Sequence, residues 1–212
     1  MSSFQLKMIA IISMLIDHIG AVVFPQFIEF RIIGRLAFPL FAFLITEGYR
    51  HTSNFKRYLL RLFIFAIISQ YPFWLAFGFD AGLNIFFTLT LGLIVIYISE
   101  EYNNFLLVLL LAVLADLLNT DFGMLGVLVI FIIHLYRDDF FRMVSFVSGL
   151  YIVMFLLRGL TAAEDSIHYY IQLFALVSFV FMRFYSGREG LKLKYFFYLF
   201  YPVHLLLLGV FF

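Results

Sequence analysis

The sequence contains no cysteine, and it has few charged residues. Without cysteine the chain cannot form disulfides, use a thiol nucleophile or bind a metal through thiolates. Charged residues make up only 13% of its 212 residues, and the formal net charge is +1. This balance gives no electrostatic basis for binding nucleic acid. The polar segments are also too short to form a soluble catalytic domain, so any function belongs to the apolar part of the chain.

Apolar residues dominate the composition. They make up 65% of the chain, whereas a soluble domain has about half, so lipid is the expected solvent. Because about 20 apolar residues cross a bilayer, we predict an all-α polytopic transmembrane helix bundle with about nine spans, in a single domain over residues 1–212. The predicted helices cover residues 6–25, 32–50, 57–78, 84–99, 103–119, 122–136, 141–158, 167–184 and 194–212.

The first apolar run, from Met8 to Phe24, follows Lys7 and so has the outline of a signal peptide. A signal peptide has a short uncharged core followed by a cleavage site with small residues. This run instead contains Asp17 and His18 and lacks a convincing cleavage site. We therefore interpret it as a retained first span that carries an ionisable pair into the bilayer.

Lysine and arginine are distributed unevenly between the two ends of the predicted helices. Cytoplasmic loops of membrane proteins carry an excess of these residues. With the N-terminus in the cytoplasm, only Arg31, Arg35 and Arg158 of the 14 lysines and arginines fall on the outer side. The sequence therefore predicts a cytoplasmic N-terminus and, with an odd number of spans, an outer C-terminus.

Asp17 and His18 are adjacent in sequence but face different neighbours, because successive residues of a helix project about 100° apart. Asp17 shares its face with small residues such as Gly20, a pattern typical of close helix packing. Its expected partner is Arg31 or Arg35, at the start of the second predicted span. Asp17 can therefore be structural, through an ion pair, or catalytic.

His18 lies on the same helix face as Lys7. Their spacing corresponds to about three turns and about 16 Å of rise, so Lys7 marks the cytoplasmic surface while His18 reaches the interior. A single histidine in a helix is often a hydrogen-bonded packing residue. The aligned lysine favours a functional histidine, because imidazole exchanges protons near neutral pH.

Other polar residues collect towards the outer half of the predicted bundle. They are Asn84, Thr88, Asp116, Asn119, Asp121 and, in the last span, His204. Polar groups inside a membrane either stabilise the bundle by pairing or mark a functional site, and for His204 plain packing is the alternative. A proline inside a helix frees a backbone carbonyl, so Pro39, Pro72 and Pro202 can each mark a kink.

Arg57 and Arg61 form a basic pair at the cytoplasmic start of the third predicted span. They are four residues apart and so share one helix face, with Lys56 just before them. Positive-inside topology and contact with lipid headgroups explain such charges. Paired guanidinium groups also bind phosphate, so a phosphate-binding mouth is the alternative.

Ordered motifs along nearly the whole chain resemble the TraX family, which is named after the pilin N-acetylase of conjugative plasmids. The matching stretches are Leu6-Lys7 through Asp17-His18-Ile19-Gly20, Arg31 to Pro39, Glu47-Gly48-Tyr49-Arg50, Asn84 to Thr88, Ala115 to Gly123 and Tyr198 to His204. The family is similar to wider membrane acyltransferases, in which a basic residue and a catalytic histidine share one membrane helix. Lys7 and His18 match that spacing, with lysine in the basic position.

The resemblance implies acetyl transfer from acetyl-CoA in a bacterial inner membrane, as in pilin acetylation during conjugation. It implies that Lys7, Arg57 and Arg61 bind the phosphates of acetyl-CoA, although the two arginines match the family's cytoplasmic arginines less closely. The acetyl arm would then follow the first helix towards its interior. The implied acceptor is a peptide N-terminus or a glycan, and no metal is implied.

The same resemblance assigns roles at the reacting centre. His18 is the expected general base, and Asp116 or Asp121 would orient its ring and stabilise its charged form. Arg35 would stabilise the oxyanion of the tetrahedral intermediate, although pairing with Asp17 competes for it.

Two other functions stay open on the sequence alone. A small proton-coupled transporter would need a proton relay within the membrane, for which the candidates are Asp17, His18, Asp116 and His204. Against it, the sequence shows no evident inverted repeat. The other is a non-catalytic membrane component of a conjugation or secretion apparatus.

Overall fold

A computed structural model describes residues 1–159 and 170–212, and for Arg158 and Gly159 it describes the backbone alone. Over these residues the secondary structure is helical apart from one isolated bridge, between Leu83 and Thr120, which confirms the predicted fold class. The helices are α1 (Ser3–Val22), α2 (Ile28–Gly34), α3 (Ala37–His51), α4 (Phe55–Phe77), α5 (Ile85–Tyr102), α6 (Phe105–Leu117), α7 (Gly123–Leu135), α8 (Phe140–Gly159), α9 (Tyr170–Arg183, with a 3₁₀ turn over Leu173–Val177) and α10 (Lys194–Phe211). The side chain of Arg158 and the start of the helix predicted at 167–184 lie outside the described residues.

Within the described part of the chain, five helices are long and apolar enough to cross a membrane: α1, α4, α5, residues Phe140–Leu157 of α8, and α10. Helices α6, α7 and α9 are apolar but shorter. Large apolar side chains point outward, among them Leu110 and Leu117 on α6 and Ile67 on α4, and so extensive an apolar surface suits lipid rather than water. The chain is therefore a multi-pass membrane protein. The count of about nine spans and the orientation stay predictions.

The predicted second helix, residues 32–50, is wrong in its continuity, because the chain divides there into α2 and α3 at Arg35. Pro39 is the third residue of α3. Because it is a proline, it has no N–H to donate to the carbonyl of Arg35. In a continuous helix its ring would also collide with that carbonyl. Pro39 therefore sits in a first turn and not at a mid-helix kink, whereas Pro72 and Pro202 do lie inside α4 and α10.

The first and last helices meet in the core of the bundle. α1 contacts α2, α3 and α10, and α10 also packs along α4. Leu6 of α1, Leu40 of α3 and Leu205 of α10 are fully buried in one hydrophobic cluster. Gly209 lets α10 approach α4 closely, since a Cβ there would lie 2.7 Å from the backbone of Leu75. This packing brings α1 and α10 side by side inside the bundle.

Asparagine side chains begin several of the helices. Asn54, Asn84 and Asn104 cap α4, α5 and α6, each by accepting a hydrogen bond from a backbone N–H in the first turn. Such caps satisfy donors that a helix leaves free. Asn84 also donates to the carbonyl of Ala66 and to Gln70, at 2.7 and 2.8 Å, so it ties α5 to α4.

Candidate active site

Asp17 forms two ion pairs at the interior of α1. Its Oδ2 lies 2.7 Å from Nη1 of Arg31 and its Oδ1 lies 2.7 Å from Nη2 of Arg35. The sequence predicts one of these partners, and the structure contains both. The Asp17 residue is only 8% exposed, so removing it would leave two partly buried guanidinium groups without their counter-charge.

Gly34 is what allows α2 to approach this carboxylate. A Cβ at position 34 would lie 2.1 Å from Oδ1 of Asp17, well inside van der Waals contact. Gly20 on α1 also allows the two helices to approach closely, since a Cβ there would lie 2.3 Å from Cβ of Phe30 on α2. Gly20, on the same face of α1 as Asp17, therefore serves a close α1–α2 contact.

His18 is joined to His204 on α10. Nδ1 of His18 lies 2.7 Å from Nε2 of His204, and the two rings are nearly parallel, with 10° between their planes. Nδ1 of His204 in turn lies 2.7 Å from the carbonyl oxygen of Phe200. A carbonyl oxygen can only accept, so His204 carries its proton on Nδ1. In the neutral state its Nε2 then accepts the hydrogen bond from His18.

This chain of hydrogen bonds fixes the tautomer of His18. With its proton on Nδ1, the neutral His18 ring has an unprotonated Nε2. That nitrogen is the atom a general base uses, and the partner on the other ring nitrogen holds it in place. His18 is half-buried and lines a cavity, so a substrate group can reach the ring.

The cavity beside His18, which we call the histidine cavity, has a volume of about 270 Å³. Its ionisable lining residues are Asp17, His18, Arg31, Arg35, Asp121 and Tyr201, and aromatic rings including Phe38, Phe73, Phe77 and Phe122 complete its walls. Apolar walls with a few converging polar groups are typical of pockets that bind small molecules.

Asp121 lies in the turn between α6 and α7 and is exposed to the histidine cavity. Partial desolvation by the surrounding protein raises the pKa of this carboxyl to about 6, and the nearby charge of Arg35 opposes that shift. The turn is held in place by the bridge between neighbouring loops, in which the N–H of Asp121 donates to the carbonyl of Leu83 at 2.8 Å.

A second cavity, which we call the basic cavity, has a volume of about 380 Å³. Its ionisable lining residues are Lys7, His51, Tyr58, Arg61, Glu189, Lys192, Lys194, Tyr198 and Tyr201. The Arg61 guanidinium lies 5.3 Å from the centres of both the Tyr58 and Tyr198 rings, and these contacts hold it over the aromatic wall. Within the described residues the buried Nε of Arg61 has no hydrogen-bond partner.

The two cavities adjoin. Met14, Phe41, Ile85 and Tyr201 line both of them, so these four side chains form a partition between a basic compartment and one that contains His18.

The structure does not bring all the expected residues together. Asp116 lines neither cavity: its Oδ1 accepts from the N–H of Met124 at 2.6 Å, and so it caps α7. Arg57 is exposed and lies outside both cavity walls, whereas Lys7 and Arg61 line the basic cavity. Of the two aspartates, Asp121 is the one in the cavity with His18.

Some residues of the site carry little signal in the sequence. Lys192 and Lys194 reach the basic cavity because the segment before α10 folds back over the start of α1, where the N–H groups of Ser3 and Phe4 donate to the carbonyls of Arg188 and Glu189. Their charges alone indicate only topology. Tyr201 is one of 13 tyrosines, and it is marked in the sequence only by its place in the stretch from Tyr198 to His204, beside Pro202.

Comparisons with known proteins add a family context. A family model described as "TraX protein" matches residues 2–212. The chain is 32% identical to the "Probable fimbrial assembly protein FimC, serogroup H1" of Dichelobacter nodosus, in an alignment that covers 98% of this chain and 94% of that protein. It is 37% identical to part of the "Uncharacterized protein RP591" of Rickettsia prowazekii (strain Madrid E), over 43% of this chain and 35% of that protein. No solved structure matches the chain significantly.

Proposed function

The chain belongs to the TraX family, and on that premise we propose that it is an integral membrane acetyltransferase. It transfers an acetyl group from cytoplasmic acetyl-CoA to an amine or hydroxyl of an acceptor at or across the membrane. The observation that carries this proposal is the pair of adjoining cavities, one basic and one containing His18, on the two sides of a single partition.

The basic cavity suits the phosphates and the long arm of acetyl-CoA. Phosphate groups favour arginine and lysine donors, and Arg61, Lys7, Lys192 and Lys194 line this cavity. The Nε of Arg61, which is buried and has no hydrogen-bond partner among the described residues, is a donor that an anionic ligand would satisfy. Apolar walls that include Leu62 suit the uncharged arm.

The spacing along α1 suits a linear substrate. His18 lies about 16 Å from Lys7 along the helix axis, so a molecule held by its phosphates in the basic cavity extends its thioester towards the partition. The acceptor enters the histidine cavity from the other direction. Each substrate then occupies its own compartment, and the reacting groups meet at the partition.

His18 performs the proton transfer in this proposal. Its Nε2 takes the proton of the acceptor N–H or O–H as the acceptor attacks the thioester carbonyl. His204 keeps that nitrogen unprotonated by accepting from Nδ1. Asp121 lines the same cavity, and its carboxylate stabilises the imidazolium that forms. Asp17 holds Arg31 and Arg35 at the cavity wall, and Arg35 contributes positive charge beside the developing oxyanion.

The acceptor is proposed from the relative's name. The protein from Dichelobacter nodosus is described as a fimbrial assembly protein, so we place the activity in the assembly of a pilus or fimbria, with a peptide amine or a glycan hydroxyl of that apparatus as acceptor. The orientation that fits has the basic cavity and the N-terminus on the cytoplasmic side of a bacterial inner membrane, since acetyl-CoA is made in the cytoplasm.

The test is acetyl-CoA binding and turnover by the purified protein in detergent or nanodiscs. Wild type is compared with His18→Ala, and His134→Gln is the matched control, because His134 pairs with Glu100 and lines neither cavity. We expect wild type and the control to bind acetyl-CoA and release free CoA. We expect His18→Ala to bind with similar affinity and to lose at least about 100-fold in rate.

Two outcomes would contradict the proposal in different ways. If wild type neither binds nor turns over acetyl-CoA, the chain is not an acetyltransferase, and proton flux in proteoliposomes would then test the transporter alternative. If His18→Ala is as active as wild type, the chain is an enzyme but His18 is not its base.

A further inference from the structure

Tyr201 occupies an unusual position in the partition between the two cavities. Tyr201 is only 3% exposed, yet it lines both the basic cavity and the histidine cavity. Its ring centre lies 6.0 Å from that of His18, in an edge-to-face arrangement. Within the described residues its buried hydroxyl forms no hydrogen bond of standard geometry. A buried hydroxyl without a partner is costly, so this one is suited to a ligand.

The N-terminus of α5 lies at the same point. The backbone amide of Ile85, the first residue of α5, lies beside the Tyr201 hydroxyl. Asn84 takes the N–H groups of Phe86, through its side chain, and of Phe87, through its carbonyl. The N–H of Ile85 is not used by this cap. This amide faces the hydroxyl oxygen of Tyr201, and the positive end of the helix dipole favours negative charge at this point.

We propose that the Tyr201 O–H, with the N-terminus of α5 beside it, forms the oxyanion site of the acetyl-transfer reaction. This inference rests on the proposed acetyltransferase function and adds a catalytic residue to it. A hydroxyl donor at the positive end of a helix, beside the general base, is an arrangement that stabilises a tetrahedral intermediate.

The reaction step then balances as follows. The acceptor nitrogen or oxygen forms a bond to the thioester carbonyl carbon, and His18 Nε2 takes the acceptor's proton. The electron pair of the C=O π bond moves to oxygen, which the Tyr201 O–H and the N-terminus of α5 stabilise. When that pair returns, the C–S bond breaks, and the CoA sulfur leaves with its electron pair and receives the proton from His18. The products are the acetylated acceptor and free CoA.

The partition must open slightly for a carbonyl group to reach this point, because the Tyr201 hydroxyl is closed off from solvent. Met14 is the partition residue that can move most easily, since its side chain is unbranched and flexible. A carbonyl oxygen that enters there would accept a hydrogen bond from the Tyr201 O–H, for which the described part of the chain offers no acceptor of standard geometry.

Tyr201 is better placed for this task than Arg35. Arg35 already donates from Nε to the carbonyl of Arg31 at 3.1 Å and from Nη2 to Asp17 at 2.7 Å. Arg35 also lines the histidine cavity alone, whereas Tyr201 lies where both substrates meet. A donor that is already engaged gains less from an oxyanion than one that is free.

The experiment compares Tyr201→Phe with Tyr151→Phe in steady-state acetyl transfer and in acetyl-CoA binding. Tyr151 is the matched control, because its buried hydroxyl also lacks a partner within the described residues, while it lines neither cavity. We expect Tyr201→Phe to lower kcat about 100-fold with its KM and dissociation constant for acetyl-CoA within about twofold of wild type, and Tyr151→Phe to match wild type. Thermal unfolding in detergent confirms that both variants fold.

A second measurement replaces Tyr201 with 3-fluorotyrosine, whose hydroxyl is a stronger acid and a better donor. A kcat equal to or above that of wild type, alongside the loss in Tyr201→Phe, supports the proposal. The proposal is overturned if Tyr201→Phe keeps the wild-type kcat, or if it changes only KM, because either result means no transition-state role. A wild type without acetyl-CoA turnover would overturn the acetyltransferase function itself, and this proposal with it.

Discussion

His18 and His204 share a hydrogen bond of 2.7 Å between Nδ1 of the first ring and Nε2 of the second. The bond joins α1 to α10, and the Phe200 carbonyl at the far side of His204 sets its direction. Replacing His204 with phenylalanine keeps an aromatic ring in place but removes the acceptor. His18 could then place its proton on either nitrogen, so fewer molecules would hold Nε2 ready as a base.

We therefore expect His204→Phe to lower kcat by about 10- to 100-fold and to leave acetyl-CoA affinity unchanged. Stopped assays of acetyl transfer and a binding titration measure the two effects separately. His18→Ala provides the lower limit of activity. An unaltered kcat in His204→Phe would mean that the bond between the rings serves packing only.

The contact between Gly34 and Asp17 predicts a stability defect. A methyl group at position 34 would lie 2.1 Å from Oδ1 of Asp17, so Gly34→Ala must push α2 away and weaken both ion pairs. Overpacking of this kind costs about 1–3 kcal/mol, which corresponds to a fall of several degrees in the unfolding temperature. Thermal unfolding of the purified protein in detergent measures it.

Gly149→Ala is the matched control for that variant. Gly149 is also in a helix, and a Cβ there meets nothing within 4 Å. Alanine is favoured over glycine inside a helix by up to about 1 kcal/mol, so this variant should equal or exceed wild type in unfolding temperature. Equal behaviour of the two alanine variants would show that the α1–α2 contact is not tight.

The position of Arg61 predicts a loss of acetyl-CoA affinity on its removal. Arg61 lines the basic cavity, and a charge-assisted hydrogen bond to phosphate contributes about 1.5–3 kcal/mol. Arg61→Ala should therefore weaken binding by at least about tenfold, and the effect should shrink at high salt. Isothermal titration measures both.

Two neighbours of Arg61 make this comparison specific. Arg57 lies one helical turn earlier but outside the cavity walls, so Arg57→Ala should lose less affinity than Arg61→Ala. Lys56→Ala removes an exposed charge at the same helix start and should bind as wild type does. Equal losses in all three variants would indicate a general effect of surface charge.

The environment of Asp121 predicts a pH dependence of stability. Its pKa is raised from 3.8 to about 6, so between these values the folded protein binds a proton that the unfolded chain has released. Stability contributed by this group is therefore present below about pH 4 and is lost as the pH rises through about 6. The side chain in Asp121→Asn cannot titrate. As the pH rises from 4 to 6, the unfolding temperature of this variant should therefore rise relative to that of wild type.

Asp138 provides a control of opposite sign. A hydrogen bond from Arg50 lowers the pKa of the Asp138 carboxyl, so its contribution is present above the unfolded pKa and is lost as the pH falls through the folded value. As the pH rises, the unfolding temperature of Asp138→Asn should therefore fall relative to that of wild type. A profile for Asp121→Asn that runs parallel to wild type would show that Asp121 titrates normally.

Local features of the site follow from the sequence wherever helix geometry alone decides them. The face shared by Lys7 and His18, and the pairing of Asp17 with arginine, depend on spacing within α1 and on a short connection to α2. Pro39 explains the break before α3 in the same local way.

Features that depend on how distant helices pack do not follow from the sequence. Asp116 and Asp121 are close in sequence and equally plausible as partners of His18, and a turn between α6 and α7 directs one to a helix cap and the other to the cavity. The contact of His18 with His204 depends on α10 lying beside α1, which no local pattern specifies.

The partnership of α1 and α10 also has a consequence for the order of synthesis. His18 leaves the ribosome early, whereas His204, which lies in α10 with Tyr201, follows it 186 residues later in the chain. Until α10 has entered the membrane, His18 has no partner on Nδ1 and the partition between the cavities lacks one of its walls. A growing chain therefore holds only part of each cavity wall, because Lys194 and Tyr198 of the basic cavity also belong to α10, and both cavities are complete only once the last helix is in place.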